Sequence, residues 1–295
     1  MDNQIEKDIV ESVLAKLLEQ GILNPSAKPT QEAANQNTMD TDCEPVTLEP
    51  MDFIGVENPH NPEALKMMRK STPARILMGR AGARQRTASL LNFQADHAAA
   101  VDAVFKDVSD AFLAEHNLFK VKTIVKDKDE YLMKPELGKK LSEETKREIL
   151  DKGEKGKQVQ IIVVDGLSST SIEANIADVM PALIQGLETQ GITVAKPFFI
   201  QYGRVGVMDD VAPLVACDVI VEFIGERPGL ITADSMSAYM AYRPDHNTVE
   251  AERTVISNIH RGGTPPAEAG AHLATVVKKM IDNKVSGVKL AELMR

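Results

Sequence analysis

The 295-residue chain has no tryptophan, only eight phenylalanines and four tyrosines, and just two cysteines. Cys43 and Cys217 are too few for a disulfide framework. Cys43 stands in a polar stretch and Cys217 leads into the apolar run Asp218 to Ile224, so a reduced cytosolic compartment is expected. No run approaches the ~20 apolar residues a membrane span needs, and the N-terminus lacks the basic start and apolar stretch of a secretory signal. Lys and Arg (34) are outnumbered by Asp and Glu (43), a formal charge of −9. That balance argues against nucleic acid, whose affinity comes from cations displacing phosphate counterions. The six histidines show no short ligand spacing with Cys or carboxylates, so no metal site is expected.

What is present is aliphatic. With 43% hydrophobic residues and 13 methionines, a chain of this length buries roughly three quarters of its unfolded surface, in one large or two modest domains. Composition divides it in four. Residues 1–20 carry Ile5, Ile9, Val10, Val13, Leu14, Leu17 and Leu18 at steps of three and four, a helix with one apolar stripe. Its net charge of −3 disfavours an anionic membrane and favours a protein groove. Residues 21–50, rich in Pro, Asn, Gln, Thr and Ala, have a linker's composition. Residues 51–119 read as helical: a short helix ending near Ser71, and a long amphipathic one over Thr87 to Val104. Between residues 62 and 86, Lys66, Arg69, Lys70, Arg75, Arg80, Arg84 and Arg86 face Glu63 alone. Such an arginine-rich cluster in an acidic protein suits a partner's carboxylates or phosphates.

Residues 120–295 follow an α/β grammar. Val159 to Val164 (VQIIVV) is a continuous β-branched run of the kind buried on both faces of a parallel sheet. A helix from Ser168 to about Gln190, a strand over Ile192 to Ile200, a short helix over Asp209 to Val215 and a strand over Val219 to Ile224 follow. Ser237 to Tyr242 is a further strand candidate, and Ala267 to Asn283 a closing helix. The alternation predicts a doubly wound, mostly parallel, Rossmann-like sheet with a helical N-terminal portion.

Ligands of such sheets bind outside the carboxyl ends of the strands. Asp165-Gly166-Leu167-Ser168-Ser169-Thr170 is either an anion or amide site at a helix start or ordinary N-capping. Tyr202-Gly203-Arg204-Val205-Gly206 permits close backbone approach. Gly225-Glu226-Arg227-Pro228-Gly229 holds a Glu-Arg pair in a rigid frame, and Asn258, His260 and Arg261 precede a Gly-Gly and a Pro-Pro. Ser168, Asp245 and His260 run in the order of a serine hydrolase triad, but Gly166-Leu-Ser-Ser-Thr170 lacks the elbow's second glycine. A stand-alone α/β hydrolase using Ser168 and His260 is therefore the minor alternative.

With VDGLSS (164–169), FFIQYGRV (198–205), IGERPGL (224–230), TVEAERTVISNIHRGGTPPAEA (248–269) and GRAGARQRTASLL (79–91), the chain resembles the small subunit of ethanolamine ammonia-lyase over nearly everything after Ile54. The resemblance implies a subunit of an adenosylcobalamin-dependent lyase that converts ethanolamine to acetaldehyde and ammonia. In that family a large subunit holds ethanolamine and performs the radical chemistry, and the small subunit holds the other side of the cofactor. No catalytic residue is then expected here. By position, the family's cobalamin contacts fall on Val205, Glu226 and Val255. Cobalamin proteins with a histidine lower ligand carry Asp-x-His-x-x-Gly, which neither Asp96-His97 nor Asp245-His246 continues, so base-on cobalamin is implied. Residues 51–119 would meet the large subunit and residues 120–295 the cobalamin. The N-terminal helix resembles tags that load enzymes into ethanolamine-utilisation microcompartments, and the front fifty residues are where relatives are expected to vary.

Overall fold

The computed structural model describes residues 53–294, so the expected helix of residues 1–20 and linker of residues 21–50 lie outside the described residues. The described chain begins with helix α1 (Pro62–Lys70), capped by the Asn61 side chain, and a two-stranded turn of β1 (Arg80–Ala81) and β2 (Arg84–Gln85). The hairpin was not expected from the sequence. Gly82, with φ of 63°, makes the reversal that leaves Arg80 and Arg84 exposed. Helix α2 (Thr87–Phe105) forms as expected but buries only Ser89 and Ala103. Leu90, Val101 and Phe105 stay exposed, so this helix does not turn an apolar stripe into the body.

Three short helices then frame the sheet's edge: α3 (Asp110–Glu115), α4 (Lys128–Met133) and α5 (Glu143–Lys152). Each starts at a side-chain cap, Ser109, Asp127 and Ser142 in turn, which accepts a main-chain N–H three residues on. Strand β3 (Phe119–Lys122) lies between α3 and α4. Beyond α5 come β4 (Val159–Val164), α6 (Ser169–Thr189), β5 (Phe198–Gln201), α7 (Met208–Val215), β6 (Val219–Gly225), β7 (Met236–Tyr242), β8 (Thr254–Ile259), α8 (Pro266–Asn283) and α9 (Gly287–Leu293).

The strands form one mixed sheet in the order β3-β5-β4-β6-β7-β8. The first four are parallel, while β7 adds antiparallel to β6 and β8 antiparallel to β7. The expected mostly parallel sheet is therefore parallel over one part only. β7 returns directly from β6 through a loop, and no crossover helix intervenes to make it parallel. β8 was not expected as a strand from the sequence.

All six residues of β4 are buried, as its unbroken apolar run requires. Val159, Ile161 and Val163 meet α6 and α8 on one face. Ile162 and Val164 meet α5 and α7 on the other. Each such side chain contributes roughly 1.5–3 kcal/mol by leaving water. The helix after β4 and the helix after β5 thus lie on opposite faces, and a topological switch falls between the carboxyl ends of these two strands. No described helix is long and apolar enough to cross a membrane.

Candidate functional site

The switch-point crevice is where the sequence placed the first two turns, and the protein's own side chains occupy it. Tyr131 of α4 is fully buried there and donates through its hydroxyl to the Gly203 carbonyl at 2.8 Å. Burial first, and the Asp165 charge second, push its phenol well above the ordinary value. The Arg204 guanidinium stacks on the Tyr131 ring at 4.2 Å, and Tyr202 packs beside it at 5.7 Å between centroids. Asp165, buried at the end of β4, accepts from the main-chain N–H groups of Tyr202 (2.9 Å) and Gly203 (3.3 Å). Burial raises its carboxyl to about 6 against the pull of Lys128 and those two amides. A Cβ on Gly203 would stand 2.5 Å from a Val164 methyl, so the turn fits only glycine.

The Asp165–Thr170 turn resolves as capping. Ser168 is fully buried, accepts from Ser171 N (3.1 Å) and donates to the Ala233 carbonyl at 2.6 Å. This removes the hydrolase alternative. His260 instead turns its Nε2 to Asn258 Oδ1 (2.9 Å), and its Nδ1 accepts from Gly262 N (3.1 Å). Asp245 follows Tyr242, which pairs with Val219 at the opposite end of β6 from the Ser168 turn. Ser168 and His260 are not brought together as nucleophile and base, because each is already spent on shaping its own loop.

A second region is open. Residues directly paired in antiparallel strands point to the same side of the sheet. The register sets Glu222 of β6 opposite Tyr239 of β7, and Tyr239 opposite Val255 of β8. Ile224 pairs with Ser237 and Ile220 with Ala241 on the same side. Over β4 and β6 that side is covered by α5 and α7, while α8 covers the reverse of β7 and β8. Among the described residues, no helix covers β7 and β8 on the Tyr239 side, and Val255 is 45% exposed there. Val205, in the short turn that feeds α7, packs against the same apolar cluster as Tyr239.

Glu226 stands at the upper end of this face, just past β6. Its carboxylate accepts from Ser235 Oγ (2.6 Å), Ser237 Oγ (2.5 Å) and Asn258 N (2.9 Å). Partial burial pushes its pKa up, but the Asn258 amide, the two serines and nearby His260 outweigh that and hold it below the usual value. Ser257 Oγ extends the chain of hydroxyls from Ser237 at 3.1 Å. Arg227, its neighbour in sequence, is exposed.

At the lower end, Arg253 is buried and binds Asp209 at 2.7 Å, joining the start of β8 to the start of α7. Beneath it Glu222 is fully buried with no hydrogen-bond partner on either carboxylate oxygen among the described residues. Burial raises its pKa well above the ordinary value, despite Arg253 and the nearby Met208 amide. Glu226 and Val255 therefore border one surface, and Val205 lies against the apolar cluster that also takes Tyr239. Ser235, Ser237 and Tyr239 were not singled out from the sequence, although the spacing of two between Ser237 and Tyr239 along β7 is the mark of a shared strand face.

The basic segment is divided. Arg69 donates to the Ala74 carbonyl, Arg75 pairs with Asp96, and Arg86 lies over Phe53 at 4.7 Å. Lys66, Lys70, Arg80 and Arg84 are exposed beside exposed Met67 and Met68. No cluster of three or more His, Cys, Asp or Glu that could hold a metal ion occurs among the described residues.

The structure is thus an α/β protein whose switch-point crevice is filled and whose open sheet face has a fixed carboxylate at its rim. Among the described residues, Ser168 and His260 are each engaged within their own loops. The chain belongs to the ethanolamine ammonia-lyase light-chain family, whose model matches residues 62–291. It is 46% identical over 288 residues to the ethanolamine ammonia-lyase small subunit of Clostridium tetani, covering 96% of this chain and 97% of that one. To those of Clostridium perfringens and Clostridioides difficile it is 45% identical, over 97% and 98% of this chain and 99% and 100% of theirs. Alignments of that extent run into the front fifty residues, so these relatives also carry residues there.

Proposed function

We propose that this chain is the cofactor-holding subunit of an adenosylcobalamin-dependent ethanolamine ammonia-lyase, working in the cytoplasm. In this reading Val205, Glu226 and Val255 hold base-on cobalamin against a large subunit, which carries ethanolamine and its conversion to acetaldehyde and ammonia. When bound, the cofactor supplies the radical that starts the reaction by cleavage of its cobalt–carbon bond. The observation that supports the reading is the open face of β6–β8, with Glu226 fixed at its rim, Val255 exposed on it and Val205 against the apolar cluster that also takes Tyr239.

The residues fit such a group. Val205, Tyr239 and Val255 offer apolar surface for a flat macrocycle, and Glu226 offers a rigid acceptor for its amide or hydroxyl donors. Three donors fix the Glu226 carboxylate beforehand, so little side-chain entropy is lost on binding. At Val255 a main-chain contact suits an edge strand better than a side-chain one, since β8 pairs only with β7. The parallel strands and their crossovers make this a Rossmann-like domain in which the ligand has moved from the switch point to the antiparallel extension.

Residues 51–119 form the large-subunit contact, the exposed Arg80 and Arg84 meeting carboxylates and Met67, Met68 and Phe105 supplying apolar surface. Residues 1–20 serve as the microcompartment tag. Deleting them leaves lyase activity intact and scatters the protein from shells; normal encapsulation would remove the tag. The decisive test is Glu226→Ala in the assembled complex. Cobalamin retention through gel filtration falls while ethanolamine still binds the large subunit, and unchanged retention refutes the role.

A further inference from the structure

We infer that Tyr239 is a direct contact of the ligand held on the open sheet face, its ring forming the floor and its hydroxyl donating to a carbonyl or amide oxygen of that ligand. The inference deepens the proposed function and rests on it. Tyr239 is central by register: Glu222 lies across from it on β6 and Val255 across from it on β8. Ser237, which holds Glu226, is two residues away on the same side of β7. Three sides of the residue are thus occupied by the positions that define the site.

The ring is half-buried against the apolar cluster that also takes Val205, so it is held in place without being covered. Its hydroxyl is different. Among the described residues it makes no hydrogen bond, and the oxygen is not sealed from solvent. The fully buried Tyr131 spends its hydroxyl on the Gly203 carbonyl. Of these two phenols, only Tyr239 keeps its donor in reserve on an open surface. Partial burial, with Glu226, Glu222 and Glu250 behind it, raises its pKa, so the oxygen retains its proton and the residue remains a donor at any physiological pH. A neutral donor at the centre and an anionic acceptor at the rim together suit a ligand whose edge carries amides, each with both a carbonyl and an N–H.

The test uses the complex reconstituted with the large subunit and freed of cofactor, titrated with adenosylcobalamin and followed by its visible absorbance. Tyr239→Phe keeps the ring and its packing and removes only the donor; a loss of about five- to tenfold in affinity is expected. Tyr239→Ala removes the floor as well and weakens binding further, with ethanolamine affinity unchanged in both. Wild-type affinity in both variants overturns the inference. If Glu226→Ala still weakens binding in that case, the proposed function stands and only the Tyr239 contact fails; if Glu226→Ala is also without effect, the proposed function falls with it.

Discussion

At the carboxyl ends of β4 and β5, polar groups are turned inward: Asp165 receives two amides, Tyr131 reaches a carbonyl, and Arg204 lies flat on an aromatic ring. On the free side of β6–β8 they are turned outward. Glu226 is fixed by three donors yet only part-buried, and Tyr239 holds a hydroxyl with no partner among the described residues. Both regions use buried carboxyl groups and tyrosines, and the difference lies in what the surrounding elements leave uncovered. The crevice where doubly wound sheets usually bind is plugged by a helix inserted before β4, while the antiparallel pair β7–β8 keeps one side open. Where a fold customarily binds and where a given chain binds are separate questions, answered by burial.

Variants on the two sides should behave oppositely. Tyr131→Ala leaves a cavity and an unpaired Gly203 carbonyl, so the unfolding free energy in urea falls by about 3–5 kcal/mol. A loss below 1 kcal/mol would mean the plug is not packed as described. Asp165 comes next. Its carboxyl titrates at about 6 in the folded protein against an ordinary 3.8, so the folded state binds the proton more tightly. The stability this contributes is complete below the unfolded value and is lost as pH rises through about 6, by up to ~3 kcal/mol. Urea unfolding at pH 4 and pH 7 should show that decline, and Asp165→Asn should flatten it; an unaltered slope would assign the pH dependence elsewhere.

On the open side effects on stability shrink and effects on ligand grow. Ser237→Ala removes one donor from Glu226 and should cost about 1 kcal/mol of stability while lowering cobalamin retention several-fold. Equal retention would show that Glu226 needs no such fixing. Arg84→Ala, on the exposed hairpin, should change stability by less than about 0.5 kcal/mol and weaken association with the large subunit more at low salt than at high. A salt-independent effect would exclude a charge contact.

The parts legible in the sequence were those whose environment is uniform. β4 and β6 are buried along their whole length, so their apolar runs announced them. α6 and α8 repeat apolar residues against one core. β3 (FKVK) and β8 (TVISNI) are edge strands with mixed burial, and their pattern resembles a loop's. The direction of β7 was not legible, because strand sense follows from how the chain returns and not from composition. Glu226 was visible through its glycine and proline frame. Its serine partners and Tyr239 were not, since alternation along β7 acquires meaning only once β6 and β8 are beside it.

The Arg253–Asp209 pair also bears on how the molecule comes to exist. It joins positions 44 residues apart, and Asn258, which holds Glu226, lies 32 residues beyond its partner. β8 is the last strand of the sheet in chain order. On a ribosome the parallel half can pair as it emerges, but Glu226 lacks its Asn258 donor and Tyr239 its Val255 neighbour until β8 arrives to dock. Contacts of such sequence separation form late and slowly. The outward face is thereby completed only late in synthesis.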